Sequence, residues 1–480
     1  MKLIGPIVHV TITGTGDIAT QIYRQILDAV VDGRLRPGER LPPSRELARR
    51  LAVSRNTVAA AYERLTADGY LVGRVGAGTY VCLEALDRRP RSAPAGRDVR
   101  PRAFWRDLAL SKAATGPAQY DFTVGVPDTR LFPLDTWRRL VSRELRHATI
   151  GTGDYGDPAG LTGLRTAIAR YIGVSRGVRA AADDVLVTHG AQQALDLIAR
   201  VMVEPGGRVA VEEPGYPPAR LLFRSLGARV VGVPVDDEGI DVAALPADAR
   251  VVYVTPSHQY PLGVPMSVAR RAALLAWAER HNAVVVEDDY DSEYRFEDRP
   301  LPPLQSLDRH GRVLYVGTFA KTMLPMLRTG FLVAPASLLP ALRAAKELSD
   351  WHNELSTQAA LAAFLAEGHL ARHVRKTTLV YAERRARLAT ALRRHLAPWL
   401  VPVRSVAGLH VCARVAPGVH LDTGEVARRA AAAGVVVDTL TRFRGDAPAQ
   451  HGLVIGYGAI PADRIDDGIR RLTPMIKASL

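Results

Sequence analysis

The sequence predicts an α/β fold with a mainly parallel sheet, preceded by a small helical domain. Its 480 residues, 47% of them apolar, suffice for more than one domain with a buried core. From about residue 120 onward, short apolar runs alternate with longer stretches of helical spacing, which is typical of a parallel sheet covered by helices. These runs are Val185–Thr188, Arg208–Glu212, Arg229–Val233, Val251–Thr255, Ala283–Glu287, Val313–Gly317 and Gly330–Ala334.

Positive charge is concentrated in the N-terminal part of the chain. The whole chain has a formal charge of +14, and the first 106 residues hold 18 Lys and Arg against 10 Asp and Glu, or +8. Residues 84–118 combine Pro, Gly, Ser and Arg with few large apolar side chains, which predicts a linker. The predicted domains are therefore residues 14–83 and 119–480, and the basic N-terminal part indicates a polyanionic partner.

Cysteine and lysine usage narrow the possible functions. Cys82 and Cys412 stand in no metal-ligand spacing, so we predict neither a disulfide framework nor a metal site. The sequence has no signal-peptide pattern and no run of about 18 apolar residues, so we expect a cytoplasmic protein without membrane partners. The six lysines that could supply a reactive amine are Lys2, Lys112, Lys321, Lys346, Lys376 and Lys477.

The first predicted domain has the spacing of three helices followed by a hairpin. Asp17 is placed to cap a first helix whose apolar residues recur at helical spacing. Ser44 and Ser54 are placed to cap the next two helices, with a tight turn at Ala52-Val53 between them. Residues 70–81 then form two short runs around a glycine-rich turn, which predicts a β-hairpin wing.

Two spaced helices followed by a wing are typical of a DNA-binding domain whose second helix enters the major groove. The LPPSRELA stretch at 41–48 and the SRNTV start of the next helix resemble the winged helix-turn-helix of the GntR family. Any small helical domain has arginines at helix ends, but the wing and the basic linker favour DNA binding. The residues expected to contact DNA are Arg45, Arg55, Asn56, Thr57 and the wing glycines Gly76 and Gly78.

One lysine lies in a setting that suits covalent chemistry. Lys321 follows a predicted strand, and Arg328 stands seven residues later in the same loop. A buried lysine near another cation loses proton affinity and can form a Schiff base, and an arginine beside it suits a phosphate. Solvation, by contrast, is the expected state of Lys2, Lys346, Lys376 and Lys477.

Residues at three other predicted strand ends belong to the same edge of the sheet. Asp288 and Tyr290 follow an apolar run at the position where open α/β sheets bind ligands, and a carboxylate there can hold a pyridinium nitrogen protonated. The small residues in Thr188–Leu195 allow helix N–H groups to approach a phosphate. Tyr216 follows the next strand and places an aromatic ring at this edge.

These pieces, in this order, resemble the fold-type I aminotransferases, which use pyridoxal 5′-phosphate (PLP). The resemblance covers about residues 120–475 and implies a smaller C-terminal α+β subdomain. It implies that Lys321 forms an aldimine with PLP, that Arg328 binds its phosphate and that His189 is structural. The other residues that it implies are Ala191, Gln192 and Thr318 at the phosphate, Tyr216 on the ring, Asp288 at the ring nitrogen, Tyr290 at the phenolic oxygen, and Tyr155 reaching across a dimer interface.

A GntR-type domain joined by a basic linker to an aminotransferase-like domain is similar to the MocR/GabR subfamily of bacterial transcription regulators. This resemblance covers nearly the whole chain. It implies a head-to-tail homodimer with DNA-binding domains swapped onto the partner subunit, bound to double-stranded operator DNA. It also implies a small-molecule effector, which is PLP itself or an amine or amino acid.

Three positions depart from the aminotransferase pattern. Ala320 stands where the enzymes often have a serine that helps to bind phosphate, and Tyr260 replaces the asparagine of their Asn-Pro-Thr-Gly motif. Val454 replaces an arginine that grips the α-carboxylate of the substrate, a bidentate contact that valine cannot make. We therefore expect the turnover of ordinary α-amino acids to be lost. The arginines that could hold an effector instead are Arg220, Arg442 and Arg444.

The favoured interpretation is a regulator that senses PLP or an amine through Lys321, with at most residual transaminase activity. An active aminotransferase that carries a DNA-binding domain is the alternative. A structural dimerisation domain without cofactor is disfavoured by Lys321, Arg328, Asp288 and Tyr216 together. The effector, the operator sequence and the sign of regulation stay open.

Overall fold

The computed structural model describes residues 10–13, 16–82, 96, 98–108, 118–146, 154–296, 301–448 and 450–480. The chain divides into two units, Met1–Arg102, here called the head, and Ala103–Leu480, here called the body. Much of the predicted linker, namely residues 84–95, 97 and 109–117, lies outside the described residues. A short helix, Ala103–Asp107, begins the body inside the predicted linker.

The head contains the three predicted helices, Ile18–Val31, Ser44–Leu51 and Arg55–Ala67. The first helix starts at the predicted cap, where the Asp17 side chain accepts a hydrogen bond from the backbone N–H of Thr20. Its apolar residues at helical spacing lie in one buried cluster with those of the other two helices and the hairpin. The head therefore has its own hydrophobic core.

Of the two caps predicted for the second and third helices, the structure has one and lacks the other. Ser44 is the first residue of its helix and not the cap, because the Pro43 carbonyl already accepts the first helical N–H groups. Ala52 ends this helix in the left-handed conformation, with φ 54°. Ser54 caps the third helix as predicted, and its hydroxyl accepts the backbone N–H of Thr57 at 3.1 Å.

The predicted hairpin consists of Leu71–Arg74 and Gly78–Val81, which pair antiparallel. Gly76 and Gly78, at and beside its tip, have φ angles of 73° and 115°, which L side chains rarely adopt. A Cβ at Gly78 would also lie 2.9 Å from Nε of Arg40. The turn of the wing therefore requires glycine at these positions.

An eight-stranded sheet forms the centre of the body. In order across the sheet, its strands are Val185–Thr188, Gly330–Val333, Val313–Thr318, Val284–Asp289, Ala249–Val254, Arg208–Glu213, Arg229–Asp236 and Gly239–Ile240. All pairings from Val313–Thr318 across to Arg229–Asp236 are parallel, which confirms the predicted mainly parallel sheet. The strand Gly330–Val333 runs antiparallel to both of its neighbours, a reversal that the spacing of apolar runs does not predict.

Helices cover both faces of this sheet, because successive strand residues point to opposite sides. Leu314 packs with the helix Gly190–Met202 on one face, and Tyr315 packs with Thr162–Arg176 on the other. The other described helices that follow Ala103–Asp107 are Leu134–Glu144, Pro217–Ser225, Val268–Arg280, Leu304–Leu307, Leu339–Asp350, Leu355–Ala366, His369–His395, Thr423–Ala432 and Ile465–Lys477.

A smaller α+β part completes the body, as the fold resemblance implies. The strands of its antiparallel sheet, in order, are Leu400–Pro402, His410–Val415, Gly452–Gly456 and Asp438–Thr439, and a separate pair joins Tyr120–Asp121 to Val435–Val436. The helices His369–His395, Thr423–Ala432 and Ile465–Lys477 pack against the four-stranded sheet through a large apolar cluster. Among the described residues, no helix is long and apolar enough to cross a membrane.

The carboxyl ends of the parallel strands set the position of the candidate site. Strands that end at Thr188, Glu213, Asp289 and Thr318 finish at the same edge of the large sheet. In open α/β sheets this edge is where ligands bind, because loops from several strands meet there. The loops that follow carry most of the predicted cofactor residues, including Lys321.

Candidate functional site

Lys321 lies in the loop that follows the strand Val313–Thr318. Its Nζ donates a hydrogen bond to the carbonyl oxygen of Gly125 at 2.6 Å. Gly125 has φ 75°, and a Cβ there would lie 2.7 Å from Nζ, so the glycine allows this approach. Burial lowers the pKa of the Lys321 amine below its usual range, an effect that Asp291 and Asp288 oppose and Arg328 reinforces. The loss of proton affinity favours a nucleophilic amine.

Asp288 presents a buried carboxylate oxygen that needs a donor. Its Oδ2 accepts a hydrogen bond from the Tyr253 hydroxyl at 2.8 Å, whereas Oδ1 has no hydrogen-bond partner among the described residues. Burial raises the pKa of Asp288, and the hydrogen bond from Tyr253 only partly opposes this effect, so the net value is about 7. Buried polar atoms are nearly always paired, so Oδ1 fits a site for an N–H or a cationic group of a ligand.

Arg328 and the start of the helix Gly190–Met202 form a setting for an anion. The Arg328 Nη2 donates to the His189 carbonyl at 3.2 Å, and a Cβ at Gly190 would lie 3.3 Å from it. Ala191 and Gln192 belong to the first turn of this helix, where backbone N–H groups have no helical partner. A guanidinium beside free N–H groups at a helix N-terminus has the donors that a phosphate or another anion requires.

Thr318, also predicted at the phosphate, ends the strand before Lys321. Its side chain is buried, and Oγ1 accepts a hydrogen bond from the backbone N–H of Ala320 at 3.2 Å. The hydroxyl thus shapes the start of the loop that carries Lys321.

Aromatic side chains meet at the same sheet edge. Tyr216 and Tyr260 pack edge to face with ring centroids 5.5 Å apart, and Tyr260 packs in the same way against Tyr290 at 5.6 Å. Burial raises the pKa of Tyr216 to about 12, and Asp288 adds to this shift. The Tyr290 hydroxyl lies 2.9 Å from Nδ1 of His258 and 3.0 Å from its carbonyl oxygen. The site can therefore cover a flat ring on at least one side.

Tyr155 has other neighbours in the single chain. Its side chain is 79% exposed, and its ring packs against those of Trp351 and His352, at 5.1 and 6.2 Å. His189, expected to be structural, has Nε2 3.1 Å from Asp350 and Nδ1 3.2 Å from the Asn353 amide. These contacts tie the start of the helix Gly190–Met202 to the segment after Leu339–Asp350.

The three arginines considered as effector ligands differ in their partners. Arg220 forms a buried ion pair with Glu213 at 2.6 Å, and Arg442 is paired with Asp438. Arg444 has no hydrogen-bond or ion-pair partner for its guanidinium among the described residues. All three line a cavity of about 1030 Å³. Two of the three candidates are thus already neutralised.

The position that carries an arginine in many aminotransferases lies in an apolar environment. Val454 is fully buried and packs in a cluster with Cys412, Leu440 and Phe443. It is not among the residues that line the large cavity, whereas Tyr216 and Tyr260 are. Val454 therefore offers no polar group of its own to a carboxylate.

Sequence reasoning missed several residues of the site. Gly125 holds the Lys321 amine, Tyr253 donates to Asp288, and His258 contacts Tyr290. For Tyr253 a signal was available, since its hydroxyl stands in an otherwise apolar strand. That strand pairs with the strand that carries Asp288. Gly125 carries no comparable signal, because 196 residues separate it from Lys321.

The prediction that Lys346 is solvated is wrong. Its side chain is 0% exposed, and its ammonium is paired with Asp350 at 2.5 Å. The i,i+4 spacing on one helix brings the two side chains together, so burial is compatible with a charged amine here. Lys346 therefore has a structural partner that accounts for it.

One cluster of buried side chains brings nitrogen and oxygen atoms as close together as the ligands of a metal ion. Among the described residues, His258, Asp291 and His410 offer atoms that lie within 4.8 Å of one another, all buried. Hydrogen bonds already engage these groups: His258 contacts Asp291 and Ser405 through its two ring nitrogens, and His410 contacts the Pro261 carbonyl. Hydrogen bonds therefore connect His258 to Asp291 and both histidines to further neighbours in the body.

The head exposes most of its predicted DNA-contacting residues. Arg45 lies at the start of the second helix, and Arg55 and Asn56 at the start of the third, all exposed. Thr57 is engaged in the cap, since its hydroxyl lies 2.8 Å from Oγ of Ser54. Arg55 and Asn56 are therefore free to reach phosphates and base edges, whereas Thr57 mainly fixes the helix start.

The wing tip extends away from the rest of the head. A Cβ at Gly76 would meet nothing within 4 Å, and the neighbouring Val75 is fully exposed. Val75, directly before Gly76, was not among the residues predicted to contact DNA.

Comparisons with known proteins agree with this division. Residues 18–81 match the family "Bacterial regulatory proteins, gntR family", and residues 118–441 match "Aminotransferase class I and II". The body resembles the kynurenine aminotransferase of Pyrococcus horikoshii, with 28% identity and a TM-score of 0.70 over 76% of this chain and 92% of that one. It also resembles LysN, the α-aminoadipate aminotransferase of Thermus thermophilus, with 31% identity and a TM-score of 0.68 over 75% and 92% of the two chains.

Full-length relatives share both parts. The chain is 39% identical to the probable rhizopine catabolism regulatory protein MocR of Rhizobium meliloti, over 94% of this chain and 92% of the relative. It is 33% identical to the pyridoxine biosynthesis transcriptional regulator PdxR of Corynebacterium glutamicum, over 93% of each. Both relatives are regulators by name and span the same two domains. The chain therefore belongs to the MocR/GabR subfamily of GntR-type transcriptional regulators, in which a winged helix-turn-helix is joined to an aminotransferase-like domain.

Proposed function

We propose that this regulator binds PLP at the sheet edge of the body and that the bound cofactor, or an amine that reacts with it, controls operator binding by the head. The single observation that carries the proposal is the unpaired Oδ1 of Asp288 close to the Lys321 amine and the Arg328 anion site. A pyridine ring with a phosphate arm has the groups that this arrangement lacks: a ring N–H, an aldehyde and an anion.

Each residue has a distinct part in this proposal. PLP supplies an aldehyde to which a lysine amine can attach. Lys321 provides that amine, and its lowered pKa keeps more of it neutral. Asp288 Oδ1 accepts the ring N–H, while Arg328 and the helix N-terminus at Ala191 and Gln192 hold the phosphate. Tyr216 covers the ring, and Tyr290 faces the phenolic oxygen.

The residues that line the cavity of about 1030 Å³ favour regulation over turnover. Val454, in its apolar cluster, offers no contact for the α-carboxylate of a substrate at the usual position. Arg220 and Arg442 are paired within the chain, which leaves Arg444 as the one of the three arginines that is open to an effector. Without the usual α-carboxylate contact an amino acid is poorly oriented for proton transfer, so slow turnover or none is expected. PLP itself or an amine without the usual α-carboxylate contact is the effector that this site favours.

Dimerisation is the second part of the proposal. Tyr155 is exposed in the single chain, which leaves its hydroxyl free to reach the phosphate site of a partner subunit. A dimer would also present two heads, with Arg45, Arg55 and Asn56 of each at one half-site of an operator. The relatives named as regulators support DNA binding by the head.

The experiment is a titration of the purified, cofactor-free protein with PLP, followed by addition of a panel of amino acids. We expect a visible absorption band that saturates at one PLP per chain. We also expect conversion of α-amino acids to keto acids to be at least about 10³-fold slower than the turnover of about 10 per second that is common in enzymes. Rapid conversion of a common α-amino acid would favour the active aminotransferase instead. The absence of any visible band would refute PLP binding.

A further inference from the structure

We propose that His258 is a positioning residue, held by Asp291 and Ser405, that fixes the phenol oxygen of Tyr290 for its hydrogen bond to the cofactor. This inference rests on the proposed function, because it assigns a role at the same site. His258 stands outside the residues that sequence reasoning placed at the cofactor. Its contacts, all within the body, define the role.

The first step is the contact between His258 and Tyr290. Tyr290 directly follows the strand Val284–Asp289, and its Oη lies 2.9 Å from Nδ1 of His258 and 3.0 Å from the carbonyl oxygen of the same residue. The tilted rings have centroids 5.9 Å apart. His258 itself is 1% exposed. The phenol oxygen is thus held at two points of a single buried residue.

The second step places the protons on His258. The Ser405 hydroxyl donates to the Ala407 carbonyl at 3.0 Å, and it has only one proton to give. Its oxygen, 3.1 Å from Nε2 of His258, is then free to accept a hydrogen bond from that nitrogen. At the other nitrogen, Nδ1, both carboxylate oxygens of Asp291 lie within 3.1 Å, and a carboxylate only accepts.

The Asp291 carboxylate therefore orients a proton on Nδ1 of His258. The Tyr290 hydroxyl donates to the His258 carbonyl, and its oxygen lies within hydrogen-bond distance of the same Nδ1–H, which it shares with Asp291. A hydrogen bond accepted from Nδ1–H polarises the phenol and strengthens its own donation. When the cofactor's phenolic oxygen is present, the Tyr290 proton can turn toward it while Nδ1–H keeps the oxygen in place.

The backbone is shaped around this pair. Gly408, with φ 83°, lies so close that a Cβ there would overlap Cε1 and Nδ1 of His258. Gly263, with φ 88°, would place a Cβ 3.2 Å from Nε2. Any side chain at either position would displace the imidazole, so the two loops fix the ring in one orientation.

The surroundings contain several other ionisable groups. His410 stacks on His258 with centroids 4.7 Å apart, and burial lowers the pKa of His410 well below its usual range, which keeps it neutral. Burial raises the pKa of Tyr290 well above its usual range, and neighbouring charges add to this shift. The groups that act electrostatically on Tyr290 or on His410 are Asp288, Asp291, Glu212, Tyr260, His258 and Lys321.

Two conservative variants separate the contacts of the two ring nitrogens. The amide of asparagine can place an N–H near the position of Nδ1, whereas the longer glutamine places it near Nε2. His258→Asn therefore keeps a donor to Tyr290, and His258→Gln keeps only the donor to Ser405. The readout is the pH titration of the visible band of the PLP-loaded protein.

Weaker donation by Tyr290 would leave more negative charge on the phenolic oxygen of bound PLP. Nζ of Lys321, joined to PLP, would then hold its proton more tightly. We expect His258→Gln to raise the apparent pKa of the band by about one pH unit, the size of one hydrogen bond, and His258→Asn to stay near the wild-type value. Ser405→Ala, which removes the contact at Nε2, serves as the matched control and should shift the pKa less than His258→Gln. Should His258→Gln not fold, His258→Leu, which removes the ring donors and leaves the Asp291 charge in place, is measured instead and should raise the same pKa.

A double variant shows whether His258 acts through Tyr290. Tyr290→Phe alone should shift the band at least as much as His258→Gln, and adding His258→Gln to it should cause no further shift. An equal shift in the presence and absence of the Tyr290 hydroxyl would overturn the inference, as would wild-type behaviour of His258→Gln. A wild-type protein without a visible band would instead refute PLP binding itself, so the two failures are distinct.

Discussion

Lys321 and Lys346 show that burial alone does not make a lysine reactive. Lys346 is completely buried yet paired with the carboxylate of Asp350, which stabilises its ammonium form. Lys321 donates to the neutral carbonyl of Gly125 instead. Burial lowers the pKa of both amines, but among the described residues only Lys346 has a carboxylate in direct contact that opposes this shift. The direct partner of the amine, more than its exposure, distinguishes Lys346 from the lysine proposed to bind the cofactor.

Asp288 gives a prediction about pH. Its pKa is raised to about 7 in the folded chain, so between about pH 4 and pH 7 the folded state binds a proton that the unfolded state has released. This group therefore lowers the free energy of unfolding of the cofactor-free protein as the pH rises. In Asp288→Asn the effect is absent, so the variant should gain on wild type by up to about 1.4 kcal/mol per pH unit in this range.

Urea unfolding of the cofactor-free protein at pH 5, 6 and 7 measures this difference. All five tryptophans lie in the body, so their fluorescence follows the unit that contains Asp288. Asp237→Asn is a suitable control, because Asp237 is exposed and its carboxylate has no hydrogen-bond or ion-pair partner among the described residues. Parallel pH dependences for wild type and Asp288→Asn would show that Asp288 is ionised throughout.

At the scale of single elements, the proposed phosphate site predicts an effect of substitution at the first residue of the helix Gly190–Met202. Gly190 has φ 74°, and any side chain there would lie 3.3 Å from the Arg328 guanidinium. In Gly190→Ala we expect backbone strain of about 1–2 kcal/mol and a displaced arginine, and hence PLP affinity that is lower by about tenfold or more. The measurement is the dissociation constant from the visible band.

Gly163→Ala is the matched control for this helix-start variant. Gly163 also lies at the start of a helix, and a Cβ there would meet nothing within 4 Å. Alanine suits a helix better than glycine, so this variant should bind PLP as wild type does. Equal affinities for both alanine variants would contradict an anion site at Gly190.

The third helix of the head gives a prediction for DNA. Arg55 is exposed at the first position of Arg55–Ala67, the helix that enters the major groove in this motif. Arg55→Ala should lower operator affinity by about tenfold or more, the loss of one base or phosphate contact, and leave the visible band unchanged. Arg34→Ala, an exposed arginine after the first helix, is the control in fluorescence anisotropy with the protein's own upstream DNA. Bleaching of the band by Arg55→Ala would contradict the division of roles between head and body.

Local patterns in the sequence predict much of the fold, because they report local physics. Asp17 and Ser54 cap their helices as predicted, and the apolar runs coincide with strands to within a few residues. The direction of Gly330–Val333 could not be predicted, since an apolar run is the same in either direction. The Ser44 cap was wrong because the sequence does not show that the Pro43 carbonyl starts the helix first.

For the site, two signals led to Lys321, Asp288 and Arg328: the chain has few lysines, and these residues stand at or after predicted strand ends. Their roles stay predictions. The partners of these residues could not be predicted, since Gly125 and Tyr253 come from distant parts of the chain and meet them only in the fold. The same holds for the arginines. Nothing in the sequence distinguishes Arg220 from Arg444, and only the folded chain shows that Arg220 is neutralised by Glu213.

At the scale of the whole molecule, charge and chemistry occupy different parts of the chain. The first 106 residues have a net charge of +8, and the remaining 374 residues have +6. Basic residues in front of the body would attract DNA phosphates without regard to sequence, so operator affinity should fall with salt. The body contributes the ligand site. A regulator of this kind requires that the ligand has different affinities for the two states of the molecule.

The most direct test of this account measures operator affinity with and without PLP in wild type and Lys321→Ala. Fluorescence anisotropy at one fixed salt concentration gives the four dissociation constants, and size-exclusion chromatography checks that the variant keeps its assembly. We expect PLP to change the wild-type dissociation constant by about fivefold or more, the size of a typical coupling between sites, and to leave that of Lys321→Ala nearly unchanged. Identical wild-type constants with and without PLP, in a protein that shows the visible band, would contradict control of the head by the cofactor.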